Sequence, residues 1–302
     1  MKFIYYIKKW TKMVFRKSVL HVNQDIGKIF SVSEIKGYFN NLTEKVTMEK
    51  EDLLLPTNTW ADGYEGYFPI QIFQYGLGAY DLYLLKNEDK YLEKFKNCVQ
   101  WAENNIEENG SILNFIHEYP DSPYSAMAQG EFASLMVRAY AQFGEIKYLD
   151  LAKKSLDFML IPLEDGGTSQ YIDEDLILYE FTCHPYVFNG WIFAMMGIYD
   201  YYLSTKDENY KQIFDRTFKT LEKNIEKMDL KYWSRYDSQK IIASPFYHNL
   251  HIAQLTALVQ IYDSIAIKKM LKKFIKYKNS FIKRNYAFMR KAFQKIFAVI
   301  KE

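Results

Sequence analysis

The chain alternates between two kinds of hydrophobic pattern. Four stretches are apolar nearly all the way round: QIFQYGLGAYDLYLLKNEDKY, GEFASLMVRAYAQFGEIKY, NGWIFAMMGIYDYYLSTKDENY and HIAQLTALVQIYDS. Each ends near a tyrosine, and Tyr80, Tyr140, Tyr199 and Tyr262 follow one another at 60, 59 and 63 residues. After the first three, a short polar turn leads into YLEKFKNCVQWAENNI, YLDLAKKSLDFML and YKQIFDRTFKTLEKNI. There, apolar residues recur at three- and four-residue steps with charges between them, the mark of a helix covered on one side. A hairpin of one all-apolar and one one-sided helix cannot bury both faces alone, whereas stacked hairpins can. The pattern predicts an all-α fold, an α/α toroid of helical hairpins forming a complete or incomplete (α/α)6-type barrel. Alternation in SQYIDED and DLILYEF, after Gly166-Gly167, predicts a small β-hairpin lid. The expected layout is an N-terminal basic and helical extension over 1–60 and a toroid over 61–265. A basic amphipathic helix over 266–302 is expected to pack on the toroid or extend it.

Inner helices of such a toroid run parallel, so their N-terminal ends meet at one rim. Those ends read YFPIQIFQYG, SPYSAMAQGE, CHPYVFNGW and SPFYHNLHIAQ. They carry Gln129, Glu131, Asn189, Tyr247, His248 and His251, with Tyr75 and Tyr124 among the aromatic groups. These are candidate substrate contacts around one bowl, where helix N-termini also favour anions. Each has a plainer role open to it as well, since Ser and Asn cap helices and buried Gln or His satisfies backbone groups.

Composition adds a ligand class. Aromatics are 18% of the chain, with 26 Tyr and 22 Phe, and flat rings with hydroxyls suit the faces and edges of sugars. Two cysteines are too few for a disulfide framework, and Cys98 is expected in the core. The first twenty residues break every apolar run with Lys or Arg, so no secretory signal is read there, and a cytoplasmic location is expected. The stretch 186–203 is interrupted by Asn189 and Asp200 and is expected to be buried in a globular core rather than in a bilayer. The net charge of +2 is uneven: residues 268–302 hold twelve Lys/Arg and one acid, which leaves a body of 27 bases and 36 acids. A basic tail on an acidic body suits contact with nucleic acid, an anionic membrane or an acidic polymer; its interleaved Phe and Ile are the pattern of an interfacial amphipathic helix, and a final surface helix with a solvated face is the plainer reading. Peripheral membrane contact is expected, and no nucleic acid partner is.

Nucleotide and metal motifs are absent, with no Walker loop, Rossmann glycine pattern, HExxH or paired CxxC. Neither a cofactor nor a metal is expected. Carboxylates, tyrosines, histidines and Arg235, beside Tyr236 and Asp237, remain at the rim. That set suits proton transfer on a sugar, or binding of one.

The blocks GYFPIQIFQYGLGAY, SPYSAMAQGEFASLMVRAY, YEF…PYVFNGWIFAMMGIYD and SRYD…SPFYHNLHIAQL occur in this order over residues 66–262. They resemble the C-terminal domain of D-glucuronyl C5-epimerases. The resemblance implies the same toroid, no nucleotide cofactor, and inversion at C5 of glucuronate to iduronate in a heparosan-like polysaccharide. It implies catalytic roles for Glu180, which precedes the segment matching the family's LNG, and for Tyr236 and Tyr247. Glu180 and Tyr247 are the expected opposed acid and base. Arg235 is expected to help Tyr247 ionise or to grip the substrate carboxylate bidentately. Three features depart from the family: Phe181 stands where it has Tyr, the Glu180–Asn189 loop is two residues shorter, and QGE replaces QGQ, adding Glu131. Two alternatives stand beside the epimerase. One is a glycoside hydrolase or lyase on the same fold, using Glu131 and Glu180. The other is a non-catalytic glycan-binding protein.

Overall fold

The computed structural model describes Thr11 and residues 21–22, 24–239 and 241–301. After the short helix α1 (Thr43–Thr47) and a two-residue hairpin, β1 (Asn58–Thr59) with β2 (Glu65–Gly66), four helical hairpins follow. Their members are α2 (Pro69–Lys86) with α3 (Asp89–Asn104), and α4 (Ala126–Phe143) with α5 (Lys147–Met159). An antiparallel hairpin, β3 (Ser169–Ile172) with β4 (Asp175–Leu178), precedes the third pair, α6 (Phe188–Thr205) with α7 (Glu208–Asn224). The fourth pair is α8 (Pro245–Ile261) with α9 (Ile265–Asn279), and α10 (Phe281–Lys301) ends the chain. The even-numbered helices α2 to α8 are the inner set, and the outer helices back them. This is an incomplete α/α toroid with four hairpins among the described residues.

The sixty-residue repeat has a local cause. The first three inner helices end on a left-handed residue, Asn87, Gly144 or Lys206, whose N–H returns to the carbonyl of Tyr83, Tyr140 or Tyr202. That C-cap stops the helix and sends the chain back along the outside. At their starts, Ser125 caps α4 and Ser244 caps α8, with Pro69 and Pro245 in the first turns of α2 and α8.

The small and polar start of α4 follows from packing. A methyl group on Gly197 would stand 2.2 Å from the carbonyl oxygen of Gly130, and one on Gly130 would stand 2.6 Å from Cα of Ala194. The α4 and α6 backbones therefore touch, and Gly is what permits it. The amide of Gln129 donates to the carbonyls of Gly110 (2.8 Å) and Ser155 (2.9 Å), tying α4 to α5.

The described part of 1–60 is mostly a plug rather than a helical extension; α1 is its one α-helix from residue 24 onward. Tyr38, Phe39 and Leu42 are wholly buried, with the rings of Tyr38 and Phe39 lying 6.4 Å and 5.4 Å from that of Phe193 on α6. Arg138 on α4 pins the plug: it donates to the carbonyls of Lys36 and Gly37 and pairs with Asp200 on α6 at 2.6 Å. Asp81 on α2 accepts from the N–H of Tyr38 at 2.9 Å. These anchors sit near the C-terminal ends of the inner helices, so the described part of the plug is fixed at that end. Residues 1–10, 12–20 and 23 lie outside the described residues.

The C-terminal boundary also moves. Residues 266–302 are not one helix: α9 buries Ile267, Met270, Phe274 and Tyr277 and is the outer member of the fourth hairpin. Only α10 lies beyond it. Cys98 is fully buried, in the core as expected.

Candidate active site

A cavity of about 290 Å3 opens at the N-terminal rim of the inner helices. Four elements deliver its polar groups. The β3–β4 hairpin delivers Glu180: Leu176 is fixed to Thr220 and Thr217 on α7, while the main chain of Tyr179 bonds to Thr168 and Ala126. The loop after α7 delivers Tyr236, whose carbonyl accepts from Phe188 N and whose N–H donates to Ile241 O. Asp237 accepts from Gln239 N and Ile241 N and so rigidifies that loop. The first turn of α8 carries Tyr247, its N–H donating to the Ser244 hydroxyl. The first turn of α6 carries Asn189.

Glu180, Tyr236, Tyr247 and Asn189 therefore line one cavity. The rings of Tyr236 and Tyr247 lie 4.7 Å apart. Burial pushes the Glu180 carboxyl up to about 8. Tyr247 is raised by burial and by Glu180, while the hydrogen bond from Tyr236 acts in the opposite direction. Tyr236 is raised further by burial, by Glu180 and by Tyr247. Burial thus favours the protonated form of all three groups.

The remaining candidates lie elsewhere. Arg235 does not line the cavity; its guanidinium donates to the carbonyl of Gln239 within its own loop. Gln129 serves the α4–α5 contact described above. His248 is stacked on Trp233 at 3.6 Å and bridges Ser234 and the carbonyl of Phe274, and His251 meets the same Ser234 hydroxyl at 3.0 Å. Burial lowers both imidazoles to about 3, so they hold the loop as neutral groups. Tyr75 donates to the carbonyl of Leu53 behind the wall, and Tyr124 packs edge-on against Phe158. Glu131 is fully buried behind Gln74, whose amide donates to it at 2.7 Å. Burial holds its carboxyl well above the usual range.

The structure adds residues that the rim argument missed. Gln71 and Gln74 line the cavity from α2, and the plug contributes Gln24 and Lys45. Gln71 and Gln74 are polar residues on an otherwise apolar inner helix, the same signal that marked Gln129 and Asn189. Lys45 carried no such signal, because only long-range packing of the plug brings α1 to the rim. Trp60, Phe68, Phe115 and Phe181 form an aromatic wall, with Phe181 stacked on Phe115 at 4.5 Å and Trp60 donating to Glu118. Among the described residues, four cavity-lining side chains carry buried oxygens with no partner: Gln24, Gln71, Glu180 and Asn189. The amide of Gln71 donates to the carbonyl of Thr57, which leaves its oxygen as the acceptor. Buried acceptors of this kind call for donors from a ligand or from solvent. An aromatic wall facing such acceptors fits a sugar with its hydroxyls.

A family model described as D-glucuronyl C5-epimerase C-terminus matches residues 114–276. A D-glucuronyl C5-epimerase of Caenorhabditis elegans is 28% identical over 127 residues, covering 39% of this chain and 21% of that protein. An uncharacterized protein of Methanocaldococcus jannaschii is 26% identical over 136 residues, covering 43% of this chain and 44% of its own. Among solved structures, an unsaturated glucuronyl hydrolase specific for heparin shares the fold with a TM-score of 0.51 at 13% identity, over 70% of this chain and 62% of that one. The chain thus spans less than two thirds of the length of each of these relatives. The matched segment is just over half of the chain and runs through Glu180, Tyr236 and Tyr247; the chain belongs to the D-glucuronyl C5-epimerase C-terminal family.

Proposed function

We propose that the protein is a uronate C5-epimerase that converts D-glucuronate residues of a polysaccharide to L-iduronate. The observation that carries this reading is the convergence of Glu180, Tyr236 and Tyr247 on one cavity with partnerless buried acceptors. The C5 hydrogen lies α to a carboxylate, so its removal places two electrons in an enediolate. Glu180 has the lower pKa of the opposed pair and takes that proton as carboxylate. The Tyr247 phenol returns a proton to C5 from the other face. The phenolate left behind is steadied by the Tyr236 hydroxyl, whose hydrogen bond lowers the pKa of Tyr247. In the reverse direction the roles exchange. Phe181, where the family has Tyr, packs on Phe115 as part of the wall, so the proton transfers are assigned to the other three groups. The hydrolase alternative used Glu131 as its second carboxylate, and the sealing of Glu131 behind Gln74 disfavours it. Deuterium uptake at C5 from D2O tests the reading directly, because a hydrolase or lyase shortens the polymer and a binder does neither.

The basic C-terminus supports a second, separate proposal, that α10 rests on an anionic lipid surface. Ile282, Met289 and Phe293 follow one helical face and are exposed, Ile282 at 79%, while Tyr286 beside them packs edge-on against Tyr232 of the body. The opposite side meets the body through buried Ala287 and through Gln294, which accepts from Ile242 N. The helix holds six Lys/Arg and no acid, a charge complementary to anionic headgroups. Among the described residues no helix is long and apolar enough to cross a membrane.

A further inference from the structure

A uronate polymer brings one carboxylate per reacting sugar into a buried cavity, and enolisation at C5 raises the charge on that same carboxyl group. A desolvated anion of this kind requires a cation at hand. Arg235, expected to supply it, is engaged with Gln239 outside the cavity. The acidic side chains that line the cavity, Glu118 and Glu180, cannot serve as that cation. Among the described lining residues a single Lys or Arg is present, Lys45. It is 4% exposed and stands on α1 in the plug, upstream of the segment that the family model matches.

Resting on the epimerase reading above, we propose that Lys45 is the cation that seats the substrate carboxylate and carries the charge of the enediolate. Its surroundings suit the task. Gln74, also in the lining, is held by Glu131 at 2.7 Å, and Glu131 is the carboxylate whose field acts on Lys45. Burial lowers the ammonium to about 8 against an opposing pull from Glu131, which leaves it mostly cationic at neutral pH. The plug that carries it is fixed from below by Arg138 and Asp81, so the cation is positioned before substrate arrives.

The test compares a heparosan oligosaccharide with its carboxyl-reduced counterpart, using the full chain with Lys45, Lys45→Met and Lys45→Arg. Binding by calorimetry and C5 exchange by NMR are both read, with circular dichroism checking each fold. The expected result is at least a tenfold preference of the natural protein for the carboxylated ligand. Lys45→Met loses that preference and drops exchange about 100-fold or more, and Lys45→Arg restores most of the preference. Retention of the preference by Lys45→Met overturns the assignment, as does absence of any preference in the natural protein. A preference that depends on Lys45, found together with no exchange, upholds the carboxylate seat and removes the epimerase reading instead.

Discussion

A methyl group on Gly190 would stand 2.3 Å from Oε2 of Glu180 and 2.6 Å from its Cβ. The first turn of α6 thus leaves room for the carboxyl group only because position 190 has no side chain. Gly190→Ala is expected to push Glu180 off its seat while keeping the fold, at a cost of about 1–3 kcal/mol. A displacement near 1 Å lowers turnover by about 100-fold. Thermal melting together with the exchange rate checks this, and an Ala variant with unchanged exchange contradicts the placement of Glu180 as a base.

Glu180 links activity and stability to pH with a defined sign. In the fold its pKa is raised to about 8, while an unfolded Glu titrates near ~4.3. The native state therefore holds a proton that the unfolded state has lost, and this contribution is fully present below about pH 4 and is gone as pH rises through 8. Glu180→Gln removes the dependence, so the variant gains stability relative to the natural protein between pH 5 and 8. His248 and His251 act with the opposite sign. Their pKa values near 3 give stability present above ~6.5 and lost as pH falls toward 3. Denaturant melts at pH 4, 6 and 8 separate the two effects. In kinetics, kcat/KM for proton abstraction should climb with pH as Glu180 ionises toward about 8 and fall again above it as Lys45, lowered to about 8, loses its charge.

Arg138 is expected to hold the plug. It is 1% exposed and paired with Asp200, and its removal leaves a buried carboxylate uncompensated. Arg138→Met should cost about 3–5 kcal/mol and open residues 24–47 to proteolysis. Limited digestion followed by mass spectrometry reads this out, and protection equal to that of the natural protein would contradict the anchor.

For α10, replacing Ile282 and Phe293 with Glu should reduce sedimentation with vesicles of phosphatidylserine and phosphatidylcholine at least tenfold, without changing exchange on a soluble oligosaccharide. Equal binding of both proteins, or binding indifferent to the anionic lipid, removes the lipid surface as partner.

Periodicity reveals what is repeated and local. The alternation of all-apolar with one-sided helices and the regular tyrosines marked the four hairpins, because each hairpin solves the same burial problem; the first three inner helices also end on the same left-handed cap, at Asn87, Gly144 or Lys206, whereas α8 ends on extended Tyr262. The motif-bearing residues Glu180, Tyr236, Tyr247 and Asn189 were legible for a related reason, since they sit at element ends that face the rim. Their polar neighbours on the helix starts were not. Gln129, Glu131, His248 and His251 are polar on inner helices, as cavity groups are, yet they serve helix contacts and loop support. Only tertiary partners such as Ser155, Gln74 and Ser234 distinguish the two. Lys45 was invisible for the converse reason: its short helix carries no repeat, and a fold-wide crossing brings it to the cavity.

The most direct measurement is incubation of a heparosan-type uronate polymer in D2O with the natural protein and with Tyr247→Phe, followed by NMR at C5 and sizing of the polymer. The natural protein is predicted to place deuterium at C5 and generate iduronate with the polymer length unchanged, and the Phe variant to do neither while remaining folded. Shortened chains without deuterium, or full exchange in Tyr247→Phe, would contradict the two-base assignment at its centre.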